Sequence, residues 1–169
     1  MTSNEKMEAV IELAREAMNN GELPIAAAIY CGNELISSAH TTERVDGRWL
    51  VHAEQKALME ADMKKLPMKT RRNLELYTNL EPCLMCLGMA LSSFIGKIYY
   101  SVEAPDDGAI EFVKNEYENR TVAGLSAWRF PEVNYGLLRK QSIQLFCEFV
   151  EQNEGQPGVD FARSIAILH

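Results

Sequence analysis

The sequence predicts an α/β fold, in which helices and strands alternate and pack as layers. Residues 24–30, PIAAAIY, form a continuous apolar run without helical polarity, which is typical of a buried strand. Before it, residues 4–20 place apolar side chains along one stripe at helical spacing, which indicates an amphipathic helix. Residues 83–94 are almost wholly apolar, which favours a buried helix over a surface helix.

The first half of the chain alternates clearly between the two patterns. Asn20-Gly21 is a helix stop signal after the first helix. A turn after the apolar strand leads into a second strand over residues 34–39, so the two strands form a hairpin. A polar loop over residues 40–50 then precedes a helix predicted over residues 52–64.

The second half begins with two further strands, on either side of the apolar helix. They are predicted over residues 73–79 and 97–102. Beyond Glu103 the pattern weakens, and one final helix is predicted near residues 135–151. Gln156-Pro157-Gly158 breaks that helix.

The chain is predicted to form one domain over residues 1–169. It has no internal repeat, low-complexity tract or Gly/Ser linker. We expect the core to cover about residues 5–152 and residues 153–169 to form a short C-terminal tail.

The amino-acid composition argues against several functional classes of protein. Lys plus Arg number 17 and Asp plus Glu number 24, so the formal net charge is -7, which argues against an electrostatic clamp for nucleic acid. Four cysteines in 169 residues do not resemble a disulfide framework. No segment predicts a membrane span, and the charged N-terminus lacks the apolar core of a signal peptide. These features predict a cytoplasmic protein without a membrane partner.

Two short motifs carry the chemistry, and each begins a predicted helix. They are His52-Ala53-Glu54 and Pro82-Cys83-Leu84-Met85-Cys86. The cysteines are three residues apart and share one helical face. Proline suits a helix start, and the partial positive charge of helix N-termini favours thiolates, the form of cysteine that binds metals.

The residue types predict a catalytic zinc site. Two thiolates and one imidazole leave one coordination position open, whereas structural zinc sites normally recruit a fourth protein ligand. Water at that position has a pKa that falls from ~15.7 toward ~7, and a neighbouring carboxylate such as Glu54 can then move protons. A structural zinc site, or two core thiols beside a helix-capping histidine, remain the alternatives. Cys31 and Cys147 are more typical of small buried side chains than of ligands.

HAE followed by PCLMC resembles the signature of the zinc-dependent cytidine/deoxycytidylate deaminase-like superfamily of nucleobase and nucleoside deaminases. The longer segments LYTNLEPCLMC and GELPIAAAIY look most like one branch of it. That branch contains tRNA adenosine deaminases, guanine deaminases and fungal-type cytosine deaminases. The resemblance covers roughly residues 7–102.

The resemblance implies a three-layer α/β/α sandwich with a five-stranded mixed sheet, usually assembled as a homodimer. It implies that His52, Cys83 and Cys86 bind Zn²⁺. Glu54 would take a proton from the zinc-bound water and deliver it to the ring nitrogen and the leaving ammonia.

Further residues are expected around the substrate. His40 stands where the branch's adenosine and guanine deaminases carry an asparagine that contacts substrate. Trp49 could stack on a base or simply pack, and Asn79 could touch substrate or cap a turn. The expected substrate-binding set is Ala26, His40, Trp49, Asn79, Ala53 and Pro82. The family's C-terminal part also suggests Trp128 and Phe130 near the site, whereas Glu81 is expected to hold the loop.

The function predicted is zinc-dependent hydrolytic deamination of a nucleobase or nucleoside, an amino-purine or amino-pyrimidine, with release of ammonia. One alternative is a tRNA-specific adenosine-to-inosine deaminase, which the acidic composition disfavours. The other is a catalytically inactive deaminase-fold binding subunit, against which the presence of Glu54 argues.

Overall fold

The computed structural model of the protein describes residues 1–119 and 129–168. Within them, five strands form one sheet in the order β2-β1-β3-β4-β5. The strands are β1 (Ala26–Cys31), β2 (Glu34–His40), β3 (Leu74–Leu80), β4 (Lys97–Val102) and β5 (Glu132–Tyr135). The helices are α1 (Ser3–Asn19), α2 (Glu43–Asp46), α3 (Ala53–Met63), α4 (Met68–Arg71), α5 (Leu84–Ser92), α6 (Ile110–Glu118), α7 (Arg139–Gln152) and α8 (Val159–Ala166).

The sheet is mixed. β1 pairs antiparallel with both β2 and β3, whereas β3, β4 and β5 run parallel. Parallel neighbours require crossovers, and α5 supplies the one between β3 and β4. The predicted five-stranded mixed sheet is confirmed.

Helices cover both faces of the sheet, which confirms the three-layer arrangement. On one face α1, α7 and α8 bury apolar side chains in one cluster, and on the other face α3, α5 and α6 bury theirs in a second. β1 separates the two clusters: Ala26, Ala28 and Tyr30 belong to the first, and Ala27 and Ile29 to the second. Burial on both faces explains why this strand has a continuous apolar run.

Several elements differ from the prediction. The polar loop over residues 40–50 contains the four-residue helix α2, and α4 is equally short. Such short helices carry too little periodicity to be recognised from sequence. The last long helix begins at Arg139, not near residue 135, because β5 and a turn occupy the preceding residues.

The apolar helix α5 is less buried than predicted. It buries Cys86, Leu87 and Ala90, but Leu84 is 59% exposed. The apolar sequence therefore covers two faces, one against the sheet and one facing outward.

The C-terminal tail contains the helix α8 and packs against the rest of the chain. Val159, Ala162 and Ile165 are buried in the cluster shared with α1 and α7. α8 is thus part of the layer on that face. No helix in the described ranges has the length and apolar character needed to cross a membrane.

Replacing Ile165 by Ala is expected to lower the free energy of unfolding by about 2–5 kcal/mol, because the side chain is fully buried. Ile167→Ala is the matched control on the same segment, where the side chain is 69% exposed and the expected change is within about 0.5 kcal/mol. Urea denaturation of both variants measures the difference. Equal stability of the two would show that α8 is a loosely attached appendage.

Candidate active site

His52, Cys83 and Cys86 lie together where two helices begin. His52 is the residue before α3 and Cys83 the residue before α5, with Cys86 one turn further on. The Nδ1 atom of His52 is 3.6 Å from each of the two Sγ atoms. The structure thus brings the three residues predicted as ligands into one group that could hold a metal ion.

The spacing of these atoms fits zinc. Tetrahedral coordination with Zn–S near ~2.3 Å and Zn–N near ~2.1 Å places nitrogen and sulfur about 3.6 Å apart, which matches the observed separation. Neither Cys31 nor Cys147 belongs to the group, so within the described residues the protein supplies three ligands. Three protein ligands are the catalytic arrangement rather than the closed structural one.

The electrostatics of the group favour a cation. A hydrogen bond from Cys86 and another from His52 lower the pKa of the Cys83 thiol to about 4. The hydrogen bond to Cys83 and burial raise the pKa of Cys86, so one proton is shared between the sulfurs. Contacts with Cys83 and Glu43 raise the pKa of His52 to about 10, which places a positive imidazolium between two anions. A divalent metal ion would supply a larger positive charge at this point and would allow both sulfurs to ionise.

Glu43, in the short helix α2, contacts the other side of the His52 ring. Its Oε1 atom lies 3.5 Å from Nε2. A carboxylate at the second nitrogen of a metal-binding histidine orients the ring and selects the tautomer that leaves the first nitrogen free for metal. Sequence reasoning missed Glu43, since nothing in a polar loop identifies which carboxylate returns to the histidine.

Glu54 lies in the first turn of α3 and is only 4% exposed. Its Oε2 atom lies 3.6 Å from the Cys86 sulfur, so the carboxyl group is adjacent to the metal ligands. Burial raises the pKa of Glu54 to about 7. A carboxyl group with that pKa can both accept and release a proton near neutral pH.

A cavity of about 290 Å³ opens beside these residues. Four carboxyl groups line it, from Glu43, Glu54, Glu81 and Asp107. The rest of the lining is Leu23, Ile25, Thr41, Trp49, His52, Ala53, Leu80, Cys83, Gly158 and Phe161. The cavity therefore has acidic groups around the metal-ligand group and apolar walls.

Of the six residues expected around the substrate, Ala53 and Trp49 line this cavity. Ala53 is fully buried at the start of α3, whereas Trp49 is 85% exposed at the mouth. The exposure of Trp49 shows that it is not a packing residue of the core.

The structure corrects the position of His40. The His40 side chain lines a separate, open hollow with Lys56, and its Nδ1 atom lies 2.8 Å from the carbonyl oxygen of Thr41. Thr41 lines the cavity instead, with its hydroxyl donating to the carbonyl of Val51. Successive side chains of an extended strand point to opposite faces, so a shift of one residue separates the two positions.

Asn79, Ala26 and Pro82 also lie outside the cavity lining. The buried Asn79 accepts a hydrogen bond from the Ala26 N–H and donates one to the carbonyl of Pro24, which ties β3 to β1. Ala26 is fully buried in the sheet, and the Pro82 carbonyl accepts from the Ala109 N–H. Their roles in the structure are to hold the strands and loops around the site.

Glu81 holds the loop after β4, as expected. Its carboxylate accepts hydrogen bonds from the N–H groups of Ala104 and Ile110. Phe130 lies away from the cavity, in a hollow with Phe94, and Trp128 lies outside the described residues. The aromatic wall comes from Phe161 of α8, which the interpretation of residues 153–169 as a tail did not anticipate.

Comparison with known proteins agrees with this geometry. Residues 1–102 match the family described as the cytidine and deoxycytidylate deaminase zinc-binding region. The chain is 31% identical to a tRNA-specific adenosine deaminase of Aquifex aeolicus, over 86% of this chain and 92% of that protein. It is 33% identical to a tRNA(Ile)-lysidine synthase of Deinococcus radiodurans, of which it spans 23% of the length. The protein belongs to the cytidine and deoxycytidylate deaminase family.

Solved structures show the same relationship. A guanine deaminase from Nitrosomonas europaea superposes with a TM-score of 0.67 at 27% identity, covering 88% of this chain and 84% of that one. A tRNA deaminase studied for A-to-I editing at the wobble position superposes with a TM-score of 0.66 at 27% identity, covering 82% of this chain and 96% of that one. The family is one of zinc-binding deaminases, and His52, Cys83 and Cys86 form a group that could hold the metal ion.

Replacing Glu43 by Gln is expected to weaken zinc binding about 10- to 100-fold, because the amide holds the His52 ring less firmly than a carboxylate. Competition with a metal-binding indicator measures the affinity directly. Asp46→Asn is the control, since Asp46 lies on the same short helix and pairs with the Thr42 hydroxyl instead. Equal affinity of the wild-type protein and the Glu43 variant would contradict the orienting role.

Proposed function

We propose that the protein is a zinc-dependent hydrolase that removes the amino group of a nucleobase, free or within a nucleoside. The observation that carries this proposal is Glu54, a buried carboxyl group placed between the three-ligand group and the cavity. A structural zinc site has no use for such a group. The relatives, which include adenosine and guanine deaminases, support the same chemistry.

The residues divide the chemistry between them. Zinc, when bound, lowers the pKa of a coordinated water toward neutrality and so supplies the nucleophile. Glu54 would pass one proton of this water to the ring nitrogen and then the water's second proton to the amino group, which leaves as ammonia. The pKa of about 7 suits both transfers.

The size and lining of the cavity suit a nucleobase as the ligand. Its volume of about 290 Å³ is at the small end for ligand sites, and the apolar side chains of Leu23, Ile25 and Phe161 match the flat faces of a ring. The carboxylate of Asp107 offers oxygen acceptors to N–H donors. This lining suits an amino-substituted heterocycle and repels an anion.

A tRNA-specific adenosine deaminase is the second candidate. It is favoured by the similarity to the Aquifex aeolicus enzyme, which extends over 92% of that protein. The net charge of -7 favours a small molecule instead, because phosphate contacts dominate binding of RNA. An ammonia assay with free bases, nucleosides and a tRNA anticodon stem separates the candidates, and turnover of the RNA alone would establish the second.

Glu54→Ala is expected to lower the rate of ammonia release by about 100- to 10,000-fold while zinc stays bound, because Glu54 moves protons and is not a ligand. Metal analysis alongside the ammonia assay checks both parts. Glu60→Ala is the control on the exposed side of the same helix. Undiminished release by the Glu54 variant would overturn the proposed mechanism, and loss of zinc would show a ligand role.

We also propose that the protein forms a homodimer through the exposed side of the α3–α5 layer. Met59 and Met63 of α3 are 56% and 73% exposed, and Leu84 of α5 is 59% exposed. Exposed apolar side chains on helices of one layer are candidates for a subunit interface. The four cysteines carry no disulfide, which supports a reducing, cytoplasmic setting.

Met63→Glu is expected to shift a dimer toward monomer, since it buries a charge at the interface without touching the metal ligands. Sedimentation measures the mass. Met68→Glu, on α4, is the control. A wild-type monomer, or a Met63→Glu dimer of unchanged stability, would rule out this surface.

A further inference from the structure

A second cavity of about 470 Å³ continues from the mouth of the catalytic cavity. The two share four lining residues, Leu23, Glu43, Trp49 and Gly158. The second cavity extends over α2 and the segment after it, where Arg44 and Arg48 line it. We call it the outer groove.

The two cavities differ in the charges that they present. In the catalytic cavity the ionisable side chains besides His52 and Cys83 are carboxylic acids. In the outer groove both carboxylates already have partners. Glu22 accepts hydrogen bonds from the N–H groups of Arg44 and Val45, and Glu43 contacts His52.

The two guanidinium groups of the outer groove are uncommitted. Within the part of the chain that the structure describes, neither Arg44 nor Arg48 forms an ion pair or a side-chain hydrogen bond. Both residues are exposed. Arginine side chains without partners can each donate two parallel N–H hydrogen bonds to an anion. A phosphate group fits this bidentate geometry well.

Trp49 lies at the boundary between the two cavities. Its side chain is 85% exposed although it is the largest apolar group on the segment. An exposed aromatic ring beside a ring-sized cavity provides a stacking surface for a base or sugar.

We propose that the outer groove is a phosphate subsite: the substrate carries a phosphate that Arg44 and Arg48 bind while its base enters the catalytic cavity. This inference rests on the proposed deaminase function. The arrangement of charged groups supports this proposal. Carboxylates line the cavity that would take the base, and the guanidinium groups line the groove that would take the phosphate. The phosphate belongs to a mononucleotide rather than RNA, because two arginines beside an acidic cavity suit one phosphate and not a polyanionic backbone.

Comparison of kcat/KM for one base presented as the nucleoside and as its 5′-monophosphate tests the proposal. For the wild-type protein, we expect the monophosphate to exceed the nucleoside at least about tenfold, as a single charge-assisted hydrogen bond provides. In Arg44→Ala/Arg48→Ala the advantage is expected to fall to about twofold or less, mainly through KM. Arg44→Lys/Arg48→Lys is expected to restore part of it, because lysine keeps the charge but loses the fork.

Lys69→Ala is the control for charge alone, since it removes an exposed cation from α4, outside the groove. We expect it to keep the phosphate advantage. Equal kcat/KM for nucleoside and monophosphate in the wild-type protein, or an advantage that survives the double Ala substitution, would overturn the subsite. Turnover of a short RNA but not of the monophosphate, lost in the double Ala variant, would assign the phosphate to RNA instead.

A binding measurement keeps the subsite separate from the proposed reaction. Calorimetric titration of the zinc-loaded Glu54→Ala protein with adenosine, guanosine and cytidine monophosphates, each against its nucleoside, needs no turnover. Tighter binding of a monophosphate that Arg44→Ala/Arg48→Ala abolishes supports the groove even if no ammonia is ever released. Ammonia release without any difference in binding between monophosphate and nucleoside supports the deaminase and excludes the groove.

Discussion

The approach of two helix N-termini is the constraint on which the site depends. α3 and α5 both begin at the metal-ligand group, with His52 and Cys83 as their cap residues. The partial positive charge of both helix ends stabilises thiolate there. The helices bury small side chains in the same cluster, Ala53 and Ala57 from α3 and Ala90 from α5, and small side chains allow close approach to the sheet. A larger side chain in place of one of these alanines would push the helices away from the sheet and so move His52 away from Cys83.

A second feature of the site is that three of the carboxylates around it have specific partners. Glu43 contacts His52, Glu81 accepts from two backbone N–H groups, and Glu22 accepts from two others. Glu54 differs, because its pKa is raised by burial and its oxygen faces a sulfur ligand. The protein thus concentrates negative charge around the cavity but leaves one carboxyl group positioned to exchange protons.

Much of the site was predictable because its residues stand in short sequence motifs. His52, Glu54, Cys83 and Cys86 stand in two short motifs at helix starts, where both spacing and chemistry restrict the possible roles. The apolar runs that became β1 and the core of the sheet were recognisable for the same reason. β5 and α6 were not recognised: β5 has only four residues, and α6 buries a single one, Ile110.

The sequence by itself determined the layered fold class and identified the three residues that could hold a metal ion and the carboxyl group proposed to transfer protons, since these signals are local patterns. The tertiary structure decided which side chains line the cavity. Thr41 rather than His40 faces the cavity because of strand register, and Glu43 reaches His52 from a separate helix. Phe161 arrives from α8, far along the chain. A cavity wall is a contact between distant segments, and no local pattern in the sequence specifies which side chains will meet there.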